Sequence, residues 1–63
     1  MSPPRRGATV IHKEDPLLGI GIIKQINYRT QEALVVWDDR EKRVHYLEDL
    51  KHYDKTTERV SDW

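Results

Sequence analysis

The chain has no cysteine, so no disulfide can staple it and no thiolate can hold a metal. The same lack fits a reducing compartment. Phenylalanine is also missing, and any large rings in a core must come from two tryptophans and three tyrosines. No apolar run approaches the roughly 20 residues that cross a bilayer. The opening Met-Ser-Pro-Pro-Arg-Arg has no apolar stretch behind its basic residues, so a signal peptide is not expected. A soluble, cytoplasmic protein is the expectation. Charge of one sign is lacking too. Eleven basic and eleven acidic side chains cancel, whereas a dedicated nucleic-acid binder normally carries a basic excess.

What remains is a 63-residue chain, enough for one domain. At this size folding hides only about 60% of the surface of the unfolded chain, so stability is marginal. The fold must rest on apolar packing and a closed hydrogen-bond network. The charges are also mildly uneven. Before Gln25 there are four basic residues against two acidic ones, and from Gln25 onward seven against nine. A local basic patch is therefore allowed, but not a strongly electrostatic binder.

Residues 1–6 read as a disordered lead-in, because Pro3-Pro4 cannot join a ladder. Ala8-Thr9-Val10-Ile11-His12 is β-branched and predicts a first strand. A polar loop ending at Pro16 follows, and then Gly19-Ile20-Gly21-Ile22-Ile23-Lys24-Gln25-Ile26 predicts a second. Its two glycines suit a barrel corner, where backbones pass closely. Glu32–Trp37 predicts a strong central strand. Asp38-Asp39-Arg40-Glu41 is a charged tip without glycine and implies a four- or five-residue loop. Lys42–Tyr46 alternates as a half-buried strand should. Leu47-Glu48-Asp49-Leu50 suggests one 3-10 turn, and Lys51-His52-Tyr53 a short last strand. Residues 54–63 read as a flexible tail. The expectation is all-β: a small five-stranded SH3-like (Tudor-like) barrel over residues 7–53, with one 3-10 turn before the last strand.

The arrangement Gly7-Ala8-Thr9-Val10-Ile11-His12, then Leu18-Gly19-Ile20-Gly21-Ile22-Ile23, then Leu34-Val35-Val36-Trp37 and Tyr46-Leu47-Glu48-Asp49-Leu50 resembles a group of bacterial Tudor-like modules. It is similar to the polymerase-interaction domain of the CarD and transcription-repair coupling factor families. It also resembles the C-terminal domain of UvrD-type helicases and the N-terminal domain of RapA-type remodelers. The resemblance spans about Gly7 to Tyr53, mostly at positions that folding itself requires. It implies a protein-binding module of the transcription machinery, with RNA polymerase the first partner to test and a helicase the next. These 63 residues carry no helicase motif.

Each candidate site competes with a plainer role. Gly19 and Gly21 lack the helix and lysine of a phosphate-binding loop, so a structural role is expected. His12, His45 and His52 have no local metal-ligand spacing, and no metal or other cofactor is expected. No nucleophile has a neighbouring base, and the acidic pairs Asp38-Asp39 and Glu48-Asp49 fall where solvated turns are expected. No enzyme and no small-molecule substrate are therefore expected. Tyr28, Trp37, Tyr46 and Tyr53 lie near strand ends. A barrel could gather them at one mouth, as a cage for methylated ammonium groups or a platform for bases, or bury them as core. Alternation puts Ala33, Val35 and Trp37 on one face of their strand, with Leu34 and Val36 on the other. Both faces are apolar, so one is a candidate sticky surface.

Two functions are carried forward. The first is a protein-interaction adaptor in which the edge and surface of the second and third predicted strands, around Ile23, Leu34, Val36 and Trp37 with Tyr28 and Tyr46, pairs with a partner by strand addition. The second is a weak DNA- or RNA-binding module using Arg5, Arg6, Lys13, Lys24, Lys42 and Arg43 with the aromatic residues. Trp63, the last residue, is a candidate docking anchor.

Overall fold

A computed structural model describes residues 4–62. They form six strands: β1 (Thr9–His12), β2 (Gly21–Asn27), β3 (Glu32–Val36), β4 (Lys42–Tyr46), β5 (Leu50–Asp54) and β6 (Arg59–Ser61). One 3-10 turn, Pro16–Leu18, precedes β2 and another, Leu47–Asp49, precedes β5. All ladders are antiparallel, in the order β4-β3-β2-β1-β5-β6. Five strands and the turn before β5 fall in the segments expected to hold them. The sixth strand falls inside the segment read as tail, where Tyr53 faces Val60. The ladder is not closed, since β4 and β6 stand at its two ends. No helix among the described residues is long and apolar enough to cross a membrane.

The core follows from alternation. Val10, Ile23, Ala33, Val35, Trp37, Leu47 and Leu50 form one buried cluster, with Ala8, Leu18 and Ile26 packed against it. Ile23 and Ile26 lie three apart, which on a regular strand would put them on opposite faces. Instead the β2–β3 register shifts between Ile23 and Gln25, leaving Lys24 as the extra residue of a bulge. Ile26 returns to the inner face opposite Ala33, and Gln25 moves to the outer face opposite Leu34.

The lead-in is tied down where it is described. The Gly7 amide donates to the Ile23 carbonyl (2.7 Å), and the Ile23 amide donates to that of Ala8 (3.0 Å). The Tyr28 hydroxyl donates to the Pro4 carbonyl at 2.6 Å, and Pro4 is buried. Arg5 and Arg6 are therefore held beside β2. Residues 1–3 of that lead-in lie outside the described residues.

Three hairpins end alike. Gln31, Arg40 and Glu58 take positive φ angles of 63°, 66° and 55° just before the returning strand. Asn27 and Asp54 open the first and third loops, their side chains accepting from the amides of Arg29 and Thr56. In the second, the Arg40 amide donates to the Trp37 carbonyl and the Trp37 amide to that of Glu41. That is a three-residue loop with a left-handed last position, where glycine is usual. Arg40→Gly and Glu58→Gly are each expected to stabilise the fold by about 0.5–1 kcal/mol, since relief of left-handed strain exceeds glycine's entropic cost. Urea midpoints of the single and double variants check this. Gln31 is a poorer target, because its Nε2 also donates to the Tyr28 carbonyl.

Candidate docking edge and outer groove

β4 and β6 are the two edge strands, and the β3–β4 ladder decides which backbone groups of β4 are free. The Trp37 amide bonds Glu41 at one end of the hairpin, and the Leu47 amide bonds Gln31 at the other. Antiparallel pairs alternate between bonded and non-bonded types. Arg43 opposite Val35 and His45 opposite Ala33 are therefore the bonded pairs. Lys42, Val44 and Tyr46 turn their N–H and C=O groups away from β3, and no strand among the described residues takes them.

The same three residues place their side chains on the outer face. There Lys42 lies opposite Val36, Val44 opposite Leu34 and Tyr46 opposite Glu32, with Ile22 beyond Val36 on β2. Val44 is 60% exposed and Tyr46 55%, while Ile22 also reaches solvent. An open groove of about 510 Å³ lies on this side. Leu34 and Val44 give it apolar surface, and Arg6, Gln25, Asn27 and Glu32 give it polar groups. The bulge at Lys24 puts Gln25 there, and the Tyr28–Pro4 bond keeps Arg6 nearby.

Several expected contact residues lie elsewhere. Ile23 is 0% exposed and Trp37 2%, so both belong to the core and offer a partner no side chain. Neither β2 nor β3 has a free edge, because each is flanked on both sides. Strand addition there is ruled out, and the free edge is one strand further on. Leu34, Val36, Tyr28 and Tyr46 do reach the surface. The rings do not converge on one mouth. Among the described residues Trp37 meets His45 edge-on at 5.3 Å, and His45 meets His12 at 5.0 Å. Of the six basic candidates only Arg6 lines the groove, and Arg43 is paired with Asp39 at 3.3 Å. Trp63 lies outside the described residues. Sequence reasoning missed Val44, Gln25 and Glu32. Val44 was legible, as an apolar residue on the face of its strand opposite His45.

Behind the edge lies a polar contact in a mostly apolar interior. Trp37 Nε1 donates to His45 Nε2 at 3.1 Å, and the Glu14 amide donates to His12 Nδ1 at 3.1 Å. His45 Nε2 and His12 Nδ1 are thus both placed as acceptors. Partial burial holds His45 below its usual 6.5, with His12 and then Arg43 adding to the effect and Asp49 and Asp15 opposing it. A histidine whose folded pKa is lowered leaves stability intact above its unfolded value and costs stability as pH falls through the folded one. The urea midpoint is therefore expected to be flat from pH 8 to about 6.5 and to decline toward pH 5. His45→Gln, which keeps an acceptor and cannot charge, is expected to remove that decline. Further losses follow in stronger acid, where Asp39 and Asp54 protonate. Amide bonds from Glu41 and Thr56 hold these two carboxyls below the usual 3.8.

Among the described residues no group of three or more histidine, aspartate or glutamate side chains is placed to hold a metal. No protein family, curated protein or solved structure matches this chain.

Proposed function

We propose that the chain is a non-catalytic, cytoplasmic protein-interaction module that adds a partner's strand to β4. The observation that carries this is the coincidence of three outward-facing backbone pairs with an apolar outer row ending in the groove. Main-chain bonds supply affinity in such docking, and pockets for alternate side chains supply selectivity. An added strand lies beside Val44 and Tyr46, with every second side chain over the outer face.

The strand order supports reading the fold as an SH3-like barrel. Four consecutive strands form a meander, a 3-10 turn follows, and β5 returns beside β1. β6 is an addition to that plan. The resemblance to polymerase-interaction modules makes RNA polymerase the first partner to test and a helicase the second. The nucleic-acid reading has less support, because of the six basic candidates only Arg6 lines the groove and Arg43 is paired with Asp39.

Capture of polymerase subunits from a bacterial lysate, compared between the native chain and Val44→Pro, is the test. Proline removes one outward N–H and is tolerated at a sheet edge. Equal capture by both proteins excludes docking at β4, and no polymerase with either excludes that partner. A steep loss of DNA or RNA affinity between two salt concentrations would revive the nucleic-acid alternative.

A further inference from the structure

The outer edge of β4 is complementary to itself. Aligned antiparallel with a second copy about Val44, it sets Val44 against the partner's Val44 and Lys42 against the partner's Tyr46, and the reverse. All three are residues whose backbone groups point outward, so each pair is of the bonded type and exchanges two hydrogen bonds. We infer that the chain pairs with a second copy of itself through β4, as a two-fold dimer with one outer sheet running across both copies. This inference rests on the reading of β4 as the docking edge and names its occupant.

Side-chain chemistry selects this alignment. On the outer face the Lys42 ammonium lies against the partner's Tyr46 ring, with the partner's Glu32 one strand further, because Glu32 is the cross-strand neighbour of Tyr46. The centre is apolar: Leu34 and Val44 meet the partner's Val44 and Leu34 in one row. On the inner face Arg43 stands opposite the partner's His45. The two arginines become diagonal neighbours there, and Asp39, 3.3 Å from Arg43 in each copy, offsets their repulsion. A parallel in-register pairing would set Lys42 against the partner's Lys42, and a one-residue slip would turn the apolar row to the wrong face. Against these, the two-fold alignment about Val44 matches backbone, apolar row and charge together. With only three bonded pairs, the association is weak and reversible.

Sedimentation velocity across roughly 1 µM to 1 mM reads the equilibrium. A monomer–dimer equilibrium is expected for the native chain. Lys42→Glu is expected to weaken it about tenfold, since symmetry turns two attractions into two repulsions. Adding Glu32→Lys to Lys42→Glu is expected to restore it. Within one copy these residues sit at opposite ends of the β3–β4 ladder, so the swap can compensate only between copies. A native chain monomeric throughout, a dimer indifferent to Lys42→Glu, or a failed swap each overturns the inference. The docking reading falls separately. Polymerase capture lost in Val44→Pro by a monomeric native chain sinks the dimer alone. Capture unchanged in Val44→Pro, beside a dimer that obeys the charge swap, sinks partner docking alone.

Discussion

Trp37→Ala is expected to leave the chain unfolded or nearly so at 25 °C. The side chain is 2% exposed, and in a protein without phenylalanine it is the largest group in the core. Removing a buried tryptophan costs about 3–5 kcal/mol through lost transfer energy and the cavity left behind. A domain of this length holds only about 3–9 kcal/mol in total. Truncation also leaves His45 Nε2 without the indole donor. Loss of cooperative thermal unfolding by circular dichroism is the expected readout. Val44→Ala and Tyr46→Ala, at exposed positions, are expected to shift stability by about 0.5 kcal/mol or less. If Trp37→Ala keeps a native-like melt, the ring is not the centre of the core.

Gly21→Ala is the second large effect, and its cause is steric alone. A methyl at Gly21 would sit 2.5 Å from Val35 Cγ1 and 2.8 Å from Trp37 Cε3. The strand backbone there accepts any residue, so the close pass of Val35 and the indole over β2 is what demands glycine. Overpacking of this kind costs about 1–3 kcal/mol. Adding Val35→Ala removes the nearer clash, and the double variant is expected to be more stable than the two single costs combined predict. Urea unfolding of all four proteins closes that cycle. Strict additivity would mean that the crowding lies elsewhere. Gly19 differs in kind. Its φ of 76° disfavours a side chain, and the Asp38 carboxylate, which accepts from the Ile20 amide, occupies the space a methyl would take.

The strands that alternate cleanly were legible, and so was the close approach marked by the spaced glycines. Ala33, Val35 and Trp37 share the buried face that period-two alternation assigns. Two features escaped because they depend on pairing with other segments. Arg59-Val60-Ser61 carries too little apolar signal to predict a strand, and it becomes one by lying beside β5. Proline at position 4 argues against a ladder, yet its carbonyl still accepts from Tyr28. The site was misplaced by one strand for the same reason. A strong apolar run such as Leu34-Val35-Val36-Trp37 belongs at the sheet's middle, where both neighbours cover it. The weaker, charge-bearing Lys42–Tyr46 is left outermost. Edges tend to be the polar strands, since exposed backbone beside apolar side chains invites uncontrolled association.

The junction of β1 with β5, where His12 faces Leu50 and Val10 faces His52, carries a kinetic consequence. Each hairpin can form locally. This junction brings together stretches separated by most of the chain, and its closure entropy must be met before any of its contacts reward the chain. Folding is therefore gated by one late encounter, with a single exponential on the millisecond-to-second scale expected in stopped-flow refolding. Microsecond refolding would mean that the two stretches already find each other in the denatured ensemble.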